Sequence, residues 1–512
     1  MKLLVATSLL LLLVTVYGSD SLARQNATLE QYIMAESKKV NQRYRLQYHV
    51  AAPVGWINDP NGFSYYKEQY HLFYQYYPYE AKWGPMHWGH VVSKDLVTWE
   101  YRPTALVPGE EQCFSGSAVE VNGSMVLMYT AHVVKEGMPV NQSQYLAFSD
   151  DGVNFIKYEN NPVIPASPNN SPDFRDPKAW KHGDYWYVII GSKTDDEIGT
   201  VLLYRSKNMI DWEFLTILAQ ATSDLGYMWE CPDFFELGGK HILLMSPQGM
   251  VAQGDRFKNL YQTGYIVGQF DYETFTFTQE TAFQELDYGH DFYAAQTIAS
   301  PDGKRVLIGW FGMWETAFPE AKDGWAGAMT IARELVLDSN NHILMKPLTA
   351  QSSLRNRVSL QSNLKADQVL ELEPASEVLI EADLTQSINL LLEGRSGGGK
   401  AWLKWDPSVG KVVVEREEGD VRQVEWSPGS NKAWRLFLDT SSLELFCGDG
   451  EVVFSSRVYP LGGWKLSNLG TQAVNTTAYA LKRSVPSYNS AMGSNLKIFN
   501  VLCLVLFGYA LY

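Results

Sequence analysis

Short apolar runs with β character recur along the first two thirds of the chain, at Tyr70–Gln75, Met125–Thr130, Tyr185–Gly191, Ile242–Ser246 and Arg305–Trp310. They lie roughly 55–63 residues apart, a period that marks a repeat architecture. Between them a turn-and-strand phrase repeats as Ser93–Trp99, Ser149–Phe155 and Ser206–Trp212, with Phe270–Phe277 a looser fourth version. Each run is preceded by a turn and another short strand, and helical periodicity is nearly absent through residue 345. Five units of four antiparallel strands predict a five-bladed β-propeller over residues 40–347. A plain β-sandwich with coincidental spacing is the competing reading. After Lys346-Pro347-Leu348 the phrases stop, and residues 354–483, with strands such as Glu377–Leu384 and Val412–Arg416, read as a separate β-sandwich domain. The expected fold is therefore all-β: a five-bladed β-propeller followed by a β-sandwich.

The strand before each apolar run is the innermost of its blade, and three of the five inner strands begin with an acid. Asp59 precedes Leu72 by 13 residues, Asp176 precedes Val188 by 12 and Glu230 precedes Leu243 by 13, so the three occupy equivalent positions. Inner strands start at one mouth of the central channel, which brings three carboxylates from three blades to one funnel. Such carboxylates can split a glycosidic bond: one attacks or stabilises an oxocarbenium-like centre while a protonated partner donates to the leaving oxygen. Each acid alone has a plainer reading, since Asp-Pro-Asn-Gly after Asn58 is good turn chemistry. Their shared register favours a site.

Composition narrows the partners. A net charge of −15 without any Lys/Arg cluster disfavours nucleic acid or an anionic membrane surface as the main partner, and suits a neutral or cationic small molecule. The 16 Trp serve strand cores and sugar platforms alike. Cys503 lies in a terminal apolar run, which leaves Cys113, Cys231 and Cys447, an odd number that implies no disulfide framework. No CxxC or His pair has zinc-site spacing, so neither a metal nor another cofactor is expected.

Both ends read as processing signals. Lys2, the apolar run Leu3–Val16 and the small residues Gly18-Ser19 have the grammar of a signal peptide over residues 1–18, which implies secretion. The run is short for a span of roughly 20 residues, which disfavours a retained anchor. Sequons at Asn26, Asn122, Asn141, Asn169 and Asn475 fit that compartment, Asn169 least because Pro172 follows it. Residues 487–512, a small polar stretch and then the apolar run Ile498–Tyr512, look like a glycosylphosphatidylinositol signal with Asn489, Ser490 or Ala491 as attachment points. A buried strand or an inconsequential tail is the plain alternative.

Trp56-Ile57-Asn58-Asp59-Pro60-Asn61-Gly62, Phe174-Arg175-Asp176-Pro177 and Glu230-Cys231-Pro232-Asp233 closely resemble the three signature motifs of glycoside hydrolase family 32, the invertases and fructanases, in the right order. The resemblance spans roughly residues 45–480, and that family also pairs a five-bladed propeller with a β-sandwich. It implies retaining hydrolysis of terminal β-D-fructofuranosides, with sucrose the expected substrate. It implies further that Asp59 is the nucleophile, Glu230 the general acid and then base, and Asp176 the residue that stabilises the transition state through fructose hydroxyls. Glu230 must then start the cycle protonated while Asp59 stays ionised, so an acidic to neutral optimum is expected. Arg175 and Cys231 support the acids, and Asn58, Gln75, Trp83, Phe114, Ser115, Tyr293 and Trp310 match the family's sugar-holding positions. For the aromatics the plainer reading is blade core, and for Cys231 a buried structural thiol.

Other readings stay open. A fructan exohydrolase or a fructosyltransferase shares the first fructose site, and a sugar-binding protein on an inactive scaffold is disfavoured by three intact acids. An inverting pentosan hydrolase would match three acids but not the phrases around Asp59 and Glu230. Gly394–Lys400 has the spacing of a phosphate-binding loop, but Ala401 replaces the hydroxyl residue that would hold magnesium, so it reads as a glycine-rich hairpin. His87 and His90 are too isolated for a metal site and read as core or pocket hydrogen-bonding groups.

Overall fold

The computed structural model describes residues 27–492 except 137, 139, 223 and 418. Five antiparallel sheets follow one another along the chain and form blades I–V. Their inner strands are Gly55–Tyr66, Gln112–Val121, Phe174–His182, Met228–Leu237 and Tyr293–Ala299. Each inner strand touches the next, and that of blade V touches that of blade I, which closes the ring. The five apolar runs are the second strands: Gln69–Tyr77, Ser124–Val133, Tyr185–Lys193, Lys240–Gln248 and Arg305–Trp310. Blades pack on both faces of these strands, so they are buried almost end to end and read as unbroken runs rather than as alternation.

The repeated phrase is the turn from third to fourth strand in blades I–III. Asp95 Oδ1 accepts from the N–H groups of Val97 (2.9 Å) and Thr98 (2.7 Å), and Asp151 Oδ1 from Val153 and Asn154 (both 2.8 Å). Asn208 Oδ1 takes Ile210 (3.0 Å) and Asp211 (2.9 Å) in the same way, a side-chain carbonyl standing in for a backbone one. Blade IV uses Asp271, whose Oδ1 accepts from Glu273 N at 2.7 Å. The ring is stitched by Trp325–Ala326, from within blade V, which pairs in parallel with Gly55 and Trp56 of blade I.

Residues after the propeller form two six-stranded antiparallel sheets. One runs from Arg355–Leu364 at its edge to Val452–Arg457, the other from Val369–Leu372 to Asp420–Glu425. Val378, Leu390, Leu403, Val414, Leu436, Leu445 and Trp464 fill the space between them. Gly394–Lys400 is the hairpin between Ile388–Gly394 and Lys400–Asp406, with Gly397 and Gly398 at positive φ (93° and 88°). The two domains share one core, in which Phe235, Leu307 and Met345 of the propeller meet Phe437, Phe446 and Val453 of the sandwich.

A buried charge network crosses that interface. Arg333 of blade V donates to Asp287 Oδ2 (2.7 Å) and Glu444 Oε2 (2.5 Å), and His49 sits between Asp439 Oδ2 (2.9 Å) and Glu444 Oε1 (2.8 Å). Burial opposes the charge on His49, yet the hydrogen bonds and charges of Asp439 and Glu444 outweigh it and raise its pKa above 6.5. A raised folded-state pKa adds stability that is complete below the unfolded value near 6.5 and is lost as pH climbs through the folded one. Urea midpoints of the wild type should therefore fall from pH 6 towards pH 9, and His49→Gln should flatten that part of the curve. Parallel curves would remove His49 as the cause.

A helix at 27–36 and a helical turn at 488–492 close the outer side of blade I, where Leu29, Ile33, Tyr488 and Met492 join the core around Tyr74 and Tyr101. Tyr488 OH donates to the Glu30 carboxylate, and Asn489 Nδ2 to Ser37 Oγ at 2.9 Å. The three expected anchor points, Asn489, Ser490 and Ala491, thus belong to a segment docked on the body. The expected signal peptide, Asn26 and the apolar tail lie outside the described residues. No helix among the described residues is long and apolar enough to cross a membrane.

Candidate active site

One device recurs at the start of every inner strand. In each blade two consecutive residues of the inner strand face a single residue of the second strand, a β-bulge. Asn58 and Asp59 face Gln75, Phe114 and Ser115 face Thr130, and Asp176 and Pro177 face Ile190. Cys231 and Pro232 face Met245, and Ala294 and Ala295 face Gly309. A regular strand would send alternate side chains to opposite faces; the bulge turns the strand start so that its side chains reach the funnel. Three bulges hold a non-glycine residue at positive φ: Asp176 (66°), Cys231 (48°) and Ala294 (53°). Such a backbone costs about 1–3 kcal/mol per residue and persists where surrounding structure enforces it.

The ring of bulges brings the three acids together. Asp59 Oδ2 accepts from Ser115 Oγ at 2.7 Å, and its Oδ1 accepts from Asn58 Nδ2 at 3.0 Å. Trp56 fixes that amide by donating to Asn58 Oδ1 at 2.8 Å. Cys231 links two acids: its backbone N–H donates to Asp176 Oδ2 at 2.9 Å, and its thiol lies 3.6 Å from Asp59 Oδ2 and 3.7 Å from Asp176 Oδ2. Glu230 Oε1 accepts from Arg175 Nη2 (2.8 Å) and Nε (3.0 Å), and Tyr293 OH donates to Oε2 at 2.6 Å.

Electrostatics follow from crowding. Asp176 is pushed up to about 7, by burial first and by the charge of Glu230 second. Asp59 rises for the same two reasons in the same order, against the hydrogen bonds from Ser115 and Asn58. The shift at Asp59 thus runs against the ionised form that the sequence expectation requires. Arg175 opposes the rise at Asp176 by its charge, while its hydrogen-bonding fork is directed at Glu230. Burial holds the Cys231 thiol well above its usual range, so it stays an S–H donor.

The remaining expected residues divide by depth. Phe114 lies flat against His132 (centroids 4.2 Å apart, 6° between planes), and Trp83, 43% exposed, meets its edge at 6.2 Å. Gln75 is buried and donates to the Cys113 carbonyl at 2.9 Å. Tyr293 is buried beneath Glu230, while Trp310 is fully covered and packs behind Trp56 and Trp314. Trp310, the last residue of its strand, pairs with Tyr293 at the start of the blade V inner strand and is covered by these neighbours. His87 is buried and hydrogen-bonds the Pro85 carbonyl at 2.9 Å, and buried His90 stacks on Phe73 at 4.2 Å. Both are core groups. Cys113, Cys231 and Cys447 are free thiols.

Sequence reasoning missed four contributors. Thr130 accepts the Asp176 N–H at 3.0 Å, Gln142 accepts the Phe174 N–H at 2.7 Å, His132 backs Phe114, and Asp173 holds Arg175 at 2.6 Å. Asp173 alone had a local signal, adjacency to the Phe174–Pro177 motif.

Carboxylates from three blades converging at one mouth of a propeller define a glycoside hydrolase. The profile described as "Glycosyl hydrolases family 32 N-terminal domain" matches residues 49–347, and that described as "Glycosyl hydrolases family 32 C terminal" matches 345–483. The chain belongs to glycosyl hydrolase family 32. A sucrose-6-phosphate hydrolase of Escherichia coli is 41% identical over 436 residues, covering 81% of this chain and 89% of that protein. A raffinose invertase of Escherichia coli is 38% identical over 429 residues, covering 81% and 89%. Among solved structures, the GH32 beta-fructofuranosidase of Bombyx mori is 55% identical with a TM-score of 0.88, covering 91% of this chain and 99% of that one. That protein has also been solved, as a mutant, in complex with sucrose.

Proposed function

We propose that the protein hydrolyses terminal non-reducing β-D-fructofuranosides with retention, and that sucrose, cleaved to glucose and fructose, is its substrate. The observation that carries this reading is the linkage of Asp59, Asp176 and Glu230 through Cys231 and Arg175 into one carboxyl cluster at the bulge ring. Asp59 is the nucleophile: Ser115 and Asn58 orient its two oxygens, and attack on the fructosyl carbon yields a covalent fructosyl-enzyme. Glu230 protonates the leaving oxygen and then, as a base, activates the water that releases fructose. Asp176, pushed up to about 7, can donate or accept at fructose hydroxyls as the ring gains positive charge. Trp83 and Phe114 offer aromatic faces at the entrance for the departing sugar.

Among the described residues, the cations Arg175 and Lys193 stand beside the acids, and both are committed. Arg175 binds Glu230 and Asp173, while Lys193 lies 3.2 Å from Asp173 and 3.7 Å from Glu197. His132, lowered to about 4 by burial and then by Arg175, is neutral. This supports an unphosphorylated substrate, although relatives carry the name sucrose-6-phosphate hydrolase. Initial rates on sucrose, sucrose-6-phosphate and an inulin-type fructan test it, with sucrose expected to have the highest kcat/KM by about tenfold or more. Preference for the phosphorylated sugar or the fructan would replace the substrate, and binding without cleavage of any would move the sugar-binding reading to the front.

Secretion is part of the same reading. Its support is the apolar leader over residues 1–18 together with exposed sequons at Asn122, Asn141, Asn169 and Asn475. Lipid anchorage through the C-terminal tail rests on the sequence pattern at 487–512 alone. A mobility shift on glycan removal tests the first, and release from membranes by an inositol-lipid-specific phospholipase tests the second.

A further inference from the structure

Behind the Arg175–Glu230 pair lies a second layer of charge. Arg175 gives Nε and Nη2 to Glu230 and turns Nη1 away from it, to Asp173 Oδ1 at 2.6 Å and to Gln142 Oε1 at 3.4 Å. The other oxygen of Asp173 lies 3.2 Å from Lys193 Nζ. Four charges of alternating sign therefore run from the reacting acid outward: Glu230, Arg175, Asp173, Lys193. All four side chains are largely buried, with 16%, 11%, 28% and 22% of their surface exposed, so solvent screens the row only in part. Asp173 is also pinned in place, because its carbonyl accepts from Ser192 Oγ at 2.7 Å and Ser171 Oγ at 3.2 Å.

We propose that Asp173 is a positioning residue which, with Lys193, sets how firmly Arg175 holds Glu230 and thereby sets the alkaline limit of catalysis. The inference rests on the reading of Glu230 as the acid. Glu230 must carry a proton when the leaving oxygen departs, whereas a guanidinium committed wholly to it favours the carboxylate. Sharing the guanidinium with Asp173 loosens that hold, and Lys193 in turn limits how strongly Asp173 competes. The other groups facing Glu230 are Asp59 of blade I, Asp176 and Arg175 of blade III, Cys231 of its own strand, and Tyr293 with its neighbour Tyr261 from blade V and the blade IV loop. His132 of blade II faces Arg175 and is neutral. The two substitutions below leave all of them in place.

Asp173→Asn acts in one direction by three routes: it frees Arg175 for Glu230, removes a nearby negative charge, and leaves the charge of Lys193 uncompensated. The alkaline limb of kcat/KM for sucrose should move to lower pH by about 0.5–1 unit. Lys193→Met removes the outer cation and should move the same limb to higher pH by a smaller amount. Loss of packing alone would lower kcat/KM at every pH without opposite displacements of the limb. Should Asp173→Asn fail to fold, the upward shift in Lys193→Met still decides the matter. Limbs that coincide with the wild type, or that move in the same direction in both variants, would overturn the proposal. A Glu230→Gln variant with wild-type sucrose turnover would instead remove the assignment of Glu230 on which it rests, so the two failures are distinguishable.

Discussion

Replacing Asp59 by Asn is expected to lower sucrose turnover by roughly four to six orders of magnitude, because it removes the carboxylate on which the fructosyl bond is formed. Asn keeps the size of the side chain and the Ser115 contact but cannot attack. The loss should be the same for every leaving group. Glu230→Gln should behave differently: acid assistance is worth about 10²–10⁴ on sucrose, or about 3–5 kcal/mol of barrier. For a fructoside whose leaving group needs no proton, such as a nitrophenolate, the first step should recover most of that loss. Neither variant should unfold. Asp59 is raised by burial and by the charge of Glu230, so Asp59→Asn removes a disfavoured charge and its thermal midpoint should lie at or above the wild type, whereas Glu230→Gln also takes a counter-ion from Arg175 and should lower the midpoint. Kinetics on sucrose and on a nitrophenyl fructoside, with melting curves alongside, check all of this. An Asp59→Asn protein that still turns over at more than a hundredth of the wild-type rate would take the nucleophile's role from Asp59.

The largest expected effect on stability lies at the domain interface. Arg333, Asp287 and Glu444 have no exposed side-chain surface, and the guanidinium also donates to Ser455 Oγ at 2.5 Å. Arg333→Met would leave Asp287 buried without its cation and Glu444 with His49 alone, at a cost of about 3–5 kcal/mol. The cost falls on the joint between propeller and sandwich, since Arg333 belongs to blade V while Glu444 and Ser455 belong to the sandwich. Equilibrium urea curves measure the loss. Combining Arg333→Met with Asp287→Asn and Glu444→Gln should recover much of it, which separates stranded charge from lost packing. A single-variant loss below about 1 kcal/mol would mean that water reaches the carboxylates and that the network is not sealed.

Much of this was legible in the chain itself, for identifiable reasons. A strand buried on both faces must be apolar along its length, so the second strands announced themselves as five runs, and the spacing of the runs gave the blades. The Asp or Asn that closes the third-to-fourth turn in blades I–IV bonds amides two and three residues on, so that motif is local and readable. Asp59, Asp176 and Glu230 were found because their distance to the next run is nearly constant, a one-dimensional trace of equivalent positions in a ring.

Other features leave no such trace. That Trp310 is fully covered while Phe114 stays partly exposed depends on where the bulges fall, and bulge and regular strand share the same residue types. Arg333 meets Glu444 across 111 residues of chain and His49 meets Glu444 across 395, so nothing nearby in the sequence hints at either pair. By itself the sequence determined the all-β class, the repeat and which acids lie in register, because periodicity and turn chemistry are local. Only the tertiary structure decided which of those acids the Arg175 guanidinium serves, how burial and crowding shift Asp59 and Asp176, and what locks the two domains together. Those outcomes depend on distances and burial between segments that meet only once the ring has closed.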